Sequence, residues 1–201
     1  ARAIGLHTHS GSGILDPGHW RKVAATLQAA AAHLPDIRII NVGGGLGIPE
    51  KPGQPALDLD RMNLELSEAT GSWNGLELWL EPGRYVTAEA GVLLARVSQI
   101  KGKGDLRYIG LTTGMNSLLR PALYGAWHHI VNLSRLHEPS AGTAQIVGPI
   151  CESGDRLGND RPLPETFEGD VILIATAGAY GRAMSSNYNL RAPACEIVLD
   201  D

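Results

Sequence analysis

One stretch constrains this chain more than any other: Ile37 to Ile48, read as IRIINVGGGLGI. A run rich in β-branched residues stops abruptly at Gly43-Gly44-Gly45, with Gly47 just beyond. Buried parallel strands have this composition, and sheets of that kind bind ligands at the C-terminal ends of their strands. Consecutive glycines let the backbone take positive φ and bring bare N–H groups close to an anion. The segment therefore reads as a strand running into a phosphate cradle or into a plain tight turn.

The surrounding pattern places that strand in a repeat of strands and helices. Ala3–Leu6 is a short apolar strand leading into His7-Thr8-His9-Ser10-Gly11-Ser12-Gly13. Asp16 before Pro17 predicts a helix start, with the acid as N-cap, and the alanine-rich helix runs to about His33. After the Ile37–Val42 strand come a proline-rich connection, a helix from about Asp58 to Ala69, and a strand from Leu76 to Leu80 that ends in Glu81-Pro82-Gly83-Arg84. Strands that each end in polar or glycine residues suit a (β/α) barrel with its chemistry at one rim. A last helix is expected over Thr87–Leu94.

Beyond it the character changes. Ala95–Ile100, Arg107–Thr112, Gln145–Gly148, Asp170–Ala175 and Cys195–Leu199 read as strands separated by turns, with a hairpin at Lys101–Asp105. The expectation is an α/β unit over residues 1–90 and an all-β domain over 91–201.

Composition removes several function classes. With 201 residues, 43% hydrophobic and a net charge of −4, the chain has ample core, no footprint for nucleic acid and no basic face for a membrane. No apolar run approaches the roughly 20 residues that span a bilayer. Two cysteines, Cys151 and Cys195, make no disulfide framework, so a reducing, cytoplasmic home is the default.

His7 and His9 lie two apart on a strand and share a face. They suit a metal pair, a ring stacked on a flat cofactor, or simple packing. A metal needs further ligands at other strand ends, and His19, His33, His128, His129 and His137 lie in helices or in the β region, so no metal is expected. Glu81 and Arg84 form either a strand-end ion pair or a carboxylate for a protonated ring nitrogen beside an arginine for an anion. Arg120 and Tyr124 sit in proline-fixed apolar surroundings, where a buried arginine needs an anion. Cys151 beside Glu152, on the glycine-bounded loop Gly148–Asp155, suits proton transfer, since a thiol with a reference pKa near 8.5 stays protonated at neutral pH. Cys195 reads as core. Tyr180, raised on Gly178-Ala179-Tyr180-Gly181, can give its hydroxyl to a phosphate.

Six segments in order, GLHTHSGSG, NVGGGLGI, EPGRYVTAEAG, GMNSLLRPALYGAWHHI, GPICESGD and GAYGRAMSSNYN, resemble the alanine-racemase-like pyridoxal-phosphate (PLP) decarboxylases, most closely their diaminopimelate branch. The resemblance implies the C-terminal part of a PLP-binding (β/α)8 barrel followed by an all-β, barrel- or sandwich-like domain. It implies that His9 lies against the PLP ring and that Ser12 assists near the phosphate. Gly43, Gly44, Gly45 and the end of the motif Glu81-Pro82-Gly83-Arg84 would bind that phosphate, helped by Tyr180. Glu81 would face the pyridine nitrogen. Arg84, Arg120, Tyr124 and Glu152 would hold the substrate, with Tyr180 at its edge, and Cys151 would protonate the carbon that loses carbon dioxide. Catalytic roles thus fall to Cys151, His9 and Glu81. The implied reaction converts meso-2,6-diaminopimelate to L-lysine and carbon dioxide, in a homodimer whose Cys151 and Glu152 reach the partner's site.

The family's Schiff-base lysine would precede residue 1; Lys22, Lys51, Lys101 and Lys103 stand in a helix, a loop and a hairpin. These residues are therefore expected to be the C-terminal half to two-thirds of the enzyme, stopping early within a strand at Cys195–Asp201, and alone to form neither a stable monomer nor an active decarboxylase. Ornithine, arginine, lysine or carboxynorspermidine as substrate, a non-catalytic homologue, and a metal-dependent hydrolase are the alternatives.

Overall fold

The computed structural model describes residues 1–104 and 106–199. They form two compact units, Ala1–Val86 and a second beginning at Thr87.

In the first unit, β1 (Gly5–His7), β2 (Ile39–Asn41) and β3 (Glu77–Trp79) form a parallel sheet in the order β1-β2-β3. Leu6, Ile40 and Leu78 lie level across it. Helices α1 (His19–Ala31) and α2 (Leu59–Thr70) supply the crossovers. Each presents an i, i+4 apolar pair, Trp20 with Ala24 and Met62 with Leu66, to a core shared with Ile40, Val42 and Leu46. Burying a side chain such as Ile40 or Leu66 contributes about 1.5–3 kcal/mol. On the outer face Arg21 of α1 reaches Glu65 and Glu68 of α2, both at 2.8 Å. Asp58 caps α2, accepting from Arg61 N at 2.8 Å. Asp16 does not cap α1. Its carboxylate accepts from Gly18 N, and the helix opens at His19, two residues later than the Asp-Pro signal suggested.

The short helix α3 (Gly83–Thr87) follows Pro82. The helix expected over Thr87–Leu94 is absent. A Cβ at Gly91 would stand 2.7 Å from Gly178 Cα, so Gly91 packs directly against that backbone, and Leu93 and Leu94 already pair with Ile174 and Leu173.

The second unit holds β4 (Leu93–Lys103), β5 (Leu106–Leu111), α4 (Arg120–Tyr124), β6 (Ile130–Asn132), β7 (Thr143–Val147), β8 (Arg156–Pro162) and β9 (Val171–Ile174). The six strands form one sheet in the order β6-β9-β4-β5-β7-β8, antiparallel except for β5 with β7. Along β4, buried Leu93, Ala95 and Val97 alternate with exposed Leu94, Arg96 and Ser98, the period-two pattern of a sheet with one face on the core. Lys103 stands opposite Leu106 in the expected hairpin, whose Asp105 lies outside the described residues.

Two strands, β6 and β8, carry no clear sequence signal. Arg156, Asn159 and Asp160 of β8 are exposed and polar, and only pairing with β7 makes the segment a strand. The opposite error falls at Cys195–Leu199. Its alternation suggests a strand, yet among the described residues it pairs with none, and Ile197, Val198 and Leu199 are 76%, 80% and 88% exposed. Cys195 is likewise exposed rather than core. An alternating pattern becomes a strand only where a neighbour offers a ladder. The Asp200 and Asp201 end of this expected strand lies outside the described residues. Among the described residues no helix is long and apolar enough to cross a membrane.

Candidate active site

Because β1, β2 and β3 run parallel and in level register, the loops after His7, Asn41 and Trp79 leave the same edge of the sheet. They converge on the three glycines. A Cβ at Gly43, Gly44 or Gly45 would lie 2.4, 2.1 or 2.3 Å from the carbonyl oxygens of Thr8, Glu81 and Gly11 respectively. No side chain fits at these positions, and Gly43 and Gly45 also take φ of +72° and +90°. Not all of their N–H groups are bare. Gly43 N donates to Asn41 Oδ1 at 2.9 Å, and Gly44 N reaches His9 Nδ1 at a long 3.3 Å. As an acceptor, Nδ1 leaves the proton of the neutral His9 ring on Nε2.

Glu81 stands beside this loop. Its backbone N donates to Gly43 O at 2.9 Å, its Oε1 accepts from Asn41 Nδ2 at 2.8 Å, and its Oε2 is 3.4 Å from His7 Nε2. Asn41 thus ties the carboxylate to the glycine loop. Pro82 and Gly83 open α3, which places Arg84 near Glu50 at 3.2 Å, not in a pair with Glu81. Ser12 is exposed in the loop after His9. Trp20 Nε1 donates to Gly44 O at 3.1 Å and fixes the loop from beneath. His7 and His9 do not act as a pair, since His9 lies past the end of β1 and the two contact different residues.

In the second unit Arg120 is 4% exposed and its Nη1 is 3.2 Å from His128 Nε2, while His128 Nδ1 faces Ala175 O at 2.9 Å. A carbonyl can only accept, so Nδ1 carries the proton and Nε2 accepts from the guanidinium. Tyr124, at the other end of α4, is 66% exposed. Tyr180 is also exposed and takes φ of +64°, an uncommon conformation for a residue with a side chain. Cys151 and Glu152 form the exposed tip of the β7–β8 loop, whose ends are anchored by buried Asp155. The Asp155 carboxylate accepts from Met115 N at 2.6 Å and Ile150 N at 2.7 Å. Tyr188 donates its hydroxyl to Glu152 Oε1. The hydrogen bond to Glu152 and its charge, with smaller contributions from desolvation and from the nearby Cys151, raise the Tyr188 hydroxyl above its ordinary pKa. Arg161, stacked over Trp127 at 4.4 Å, is lowered from its ordinary value by burial.

The first unit thus gathers His9, Gly43–Gly45, Glu81 and the start of α3 on one edge. Sequence reasoning missed Asn41, His128, Asp155 and Tyr188 as partners of these residues. All four lie inside the quoted motifs, yet nothing in their spacing announces which group each one holds.

The pyridoxal binding domain of pyridoxal-dependent decarboxylases matches residues 2–88, and the C-terminal sheet domain of the same family matches residues 60–178. The chain belongs to the pyridoxal-dependent decarboxylase family. Among curated members it is 42% identical to diaminopimelate decarboxylase of Methanothermobacter thermautotrophicus and 40% identical to that of Aquifex aeolicus, over 98% of its length in both cases. It spans about half of each, 48%. A solved diaminopimelate decarboxylase of Helicobacter pylori in complex with L-lysine superposes with a TM-score of 0.84 at 34% identity, covering 96% of this chain and 48% of that one. This family membership makes the glycine-lined rim a candidate cofactor site. The rim fits a phosphate in that no side chain can occupy its three central positions, although the N–H groups of Gly43 and Gly44 are engaged within the loop.

Proposed function

We propose that the chain supplies part of the active site of a PLP-dependent decarboxylase that converts meso-2,6-diaminopimelate to L-lysine and carbon dioxide. The carrying observation is the convergence of three strand-end loops on Gly43–Gly45, with His9 and a tethered Glu81 beside them. Membership of the family and the named function of the relatives support the substrate.

Bound PLP supplies the electron sink that lets a carboxylate leave as carbon dioxide. Gly43, Gly44, Gly45, Pro82, Gly83 and the backbone of Arg84 hold the phosphate, with Ser12 and the Tyr180 hydroxyl assisting. His9 would lie against the ring face. Glu81, oriented by Asn41, would face the pyridine nitrogen and favour its protonated form. Arg84, Arg120 and Tyr124 bind a substrate carboxylate and Glu152 an ammonium group. This set is complementary to a zwitterion with two carboxylates and unsuited to a cationic diamine. The Cys151 thiol gives its proton to the carbon that has lost carbon dioxide and is reprotonated from solvent. Exposure of the Cys151–Glu152 tip supports its action in a partner protomer of a homodimer, and the reducing cytoplasm suits its free thiol.

The test is carbon dioxide release by the full-length polypeptide carrying these residues, supplied with PLP and given meso-diaminopimelate, lysine, ornithine or arginine. Turnover of diaminopimelate alone, weakened in Cys151→Ala and Arg120→Ala, is expected. Turnover of another amino acid instead would overturn the substrate and the role of Arg120. PLP binding with no turnover would make the protein a non-catalytic homologue.

A further inference from the structure

Within the second unit, two motif segments are built onto a third, the short loop Gly114–Ser117. Buried Asp155 fits against Gly114, where a Cβ would be 2.3 Å from its Oδ1, and takes the N–H of Met115 at 2.6 Å. That contact fixes the base of the loop bearing Cys151 and Glu152. Next along, Asn116 is 2% exposed and clamps both ends of a second loop. Its O accepts from Ser186 N at 2.9 Å, and its Nδ2 donates to the carbonyls of Arg191 and Ala192 at 3.3 and 3.2 Å. Ser117 Oγ accepts from Ala194 N at 2.9 Å and closes the clamp. Tyr188 is at the tip of this clamped loop, where Asn189 and Leu190 both take φ of +55°. Such a conformation is unfavourable for leucine and persists only where surrounding contacts impose it. Both loops therefore leave a common base, and their tips meet where the Tyr188 hydroxyl donates to Glu152 Oε1.

We propose that Tyr188 is the positioning residue for Glu152, holding one carboxylate oxygen so that the other is presented to the distal ammonium group of the substrate. The assignment of Glu152 to that ammonium rests on the decarboxylase reading above. The chemistry suits the task. An exposed glutamate has several rotamers, and a charge-assisted hydrogen bond from a rigid phenol selects one of them. The Tyr188 hydroxyl, raised above its ordinary value by Glu152, stays a donor at neutral and mildly alkaline pH.

The test uses the full-length holoenzyme and Tyr188→Phe, which keeps the ring and removes only the donor. KM for diaminopimelate should rise about tenfold, the worth of one charge-assisted hydrogen bond, with kcat changed less than about twofold. In a Glu152→Gln background the same substitution should add nothing further. A parent-like KM, or an equal rise in both backgrounds, would overturn the proposal. So would a fall in kcat as large as the rise in KM, which a merely structural role in the loop predicts. A second readout needs no substrate. Spectrophotometric titration of the parent against Tyr188→Phe should show Tyr188 ionising above the ordinary tyrosine range, and Glu152→Gln should return it to that range. No return would remove the contact and the proposal with it, even in a protein that does turn over diaminopimelate. A normal return in a protein that does not turn it over would leave the contact standing and sink the decarboxylase reading instead.

Discussion

Gly44→Ala isolates what the glycine loop does. The new methyl would stand 2.1 Å from Glu81 O and 3.2 Å from Glu81 C, both backbone atoms. Gly44 is not in the left-handed region, so alanine's own backbone preference adds no cost and the whole effect is steric. Overpacking of this kind costs about 1–3 kcal/mol. If the rim yields instead, the bond from Glu81 N to Gly43 O at 2.9 Å is lost, about 1 kcal/mol more. The sum, about 2–4 kcal/mol, is roughly a 30- to 1000-fold change in an equilibrium. Because the displaced atoms belong to Glu81 and to the loop itself, the loss should appear in cofactor affinity as well as in stability.

The control is Gly53→Ala, where no atom lies within 4 Å of the added Cβ but φ is +82°, so the expected cost is conformational, about 1–2 kcal/mol, and confined to stability. PLP titration and thermal melting of the full-length polypeptide measure both. Gly44→Ala should weaken PLP binding at least about tenfold, while Gly53→Ala leaves it unchanged. Parent-like PLP affinity in Gly44→Ala would refute the claim that loop convergence shapes the site.

Asp155→Ala removes two charge-assisted hydrogen bonds, at 2.6 and 2.7 Å, and leaves a part-buried Met115 N–H and a buried Ile150 N–H unpaired. Urea unfolding should show a loss of about 3–5 kcal/mol, and a loss below about 1 kcal/mol would contradict the anchoring role. Asp170 governs the acid limb of stability. Partial burial pushes its carboxyl up, but hydrogen bonds from Asn132 Nδ2, Phe167 N and Arg135 Nε outweigh this and hold it below the ordinary range. A carboxyl lowered on folding contributes fully above its unfolded value, about 4, and loses that contribution as pH falls through the folded value. The melting temperature of the parent should therefore decline more steeply below about pH 4 than that of Asp170→Asn, and parallel profiles would exclude Asp170 as the cause.

Much of this protein was legible in order along the chain. The Ile37–Val42 run, its glycines, and the amphipathic helices announced parallel strands with helical crossovers, because a short β-branched run and a helix with one apolar face leave distinct periods. Alternation in β4 announced the sheet of the second unit in the same way. The failures share one cause. Residues 156–162 look like a loop and are a strand, whereas Cys195–Leu199 looks like a strand and is not, because pairing is a property of the neighbour.

The site divides along the same line. Residue types alone marked His9, Glu81, Arg120, Cys151 and Glu152 as bearers of chemistry, since charge, acidity and nucleophilicity belong to the side chain. Only the tertiary structure decided what each one touches: Asn41 on Glu81, His128 on Arg120, Asp155 beneath the Cys151 loop and Tyr188 on Glu152. These partners lie 5 to 40 residues apart in the chain, and a hydrogen bond depends on distance and direction in space, which local sequence does not encode.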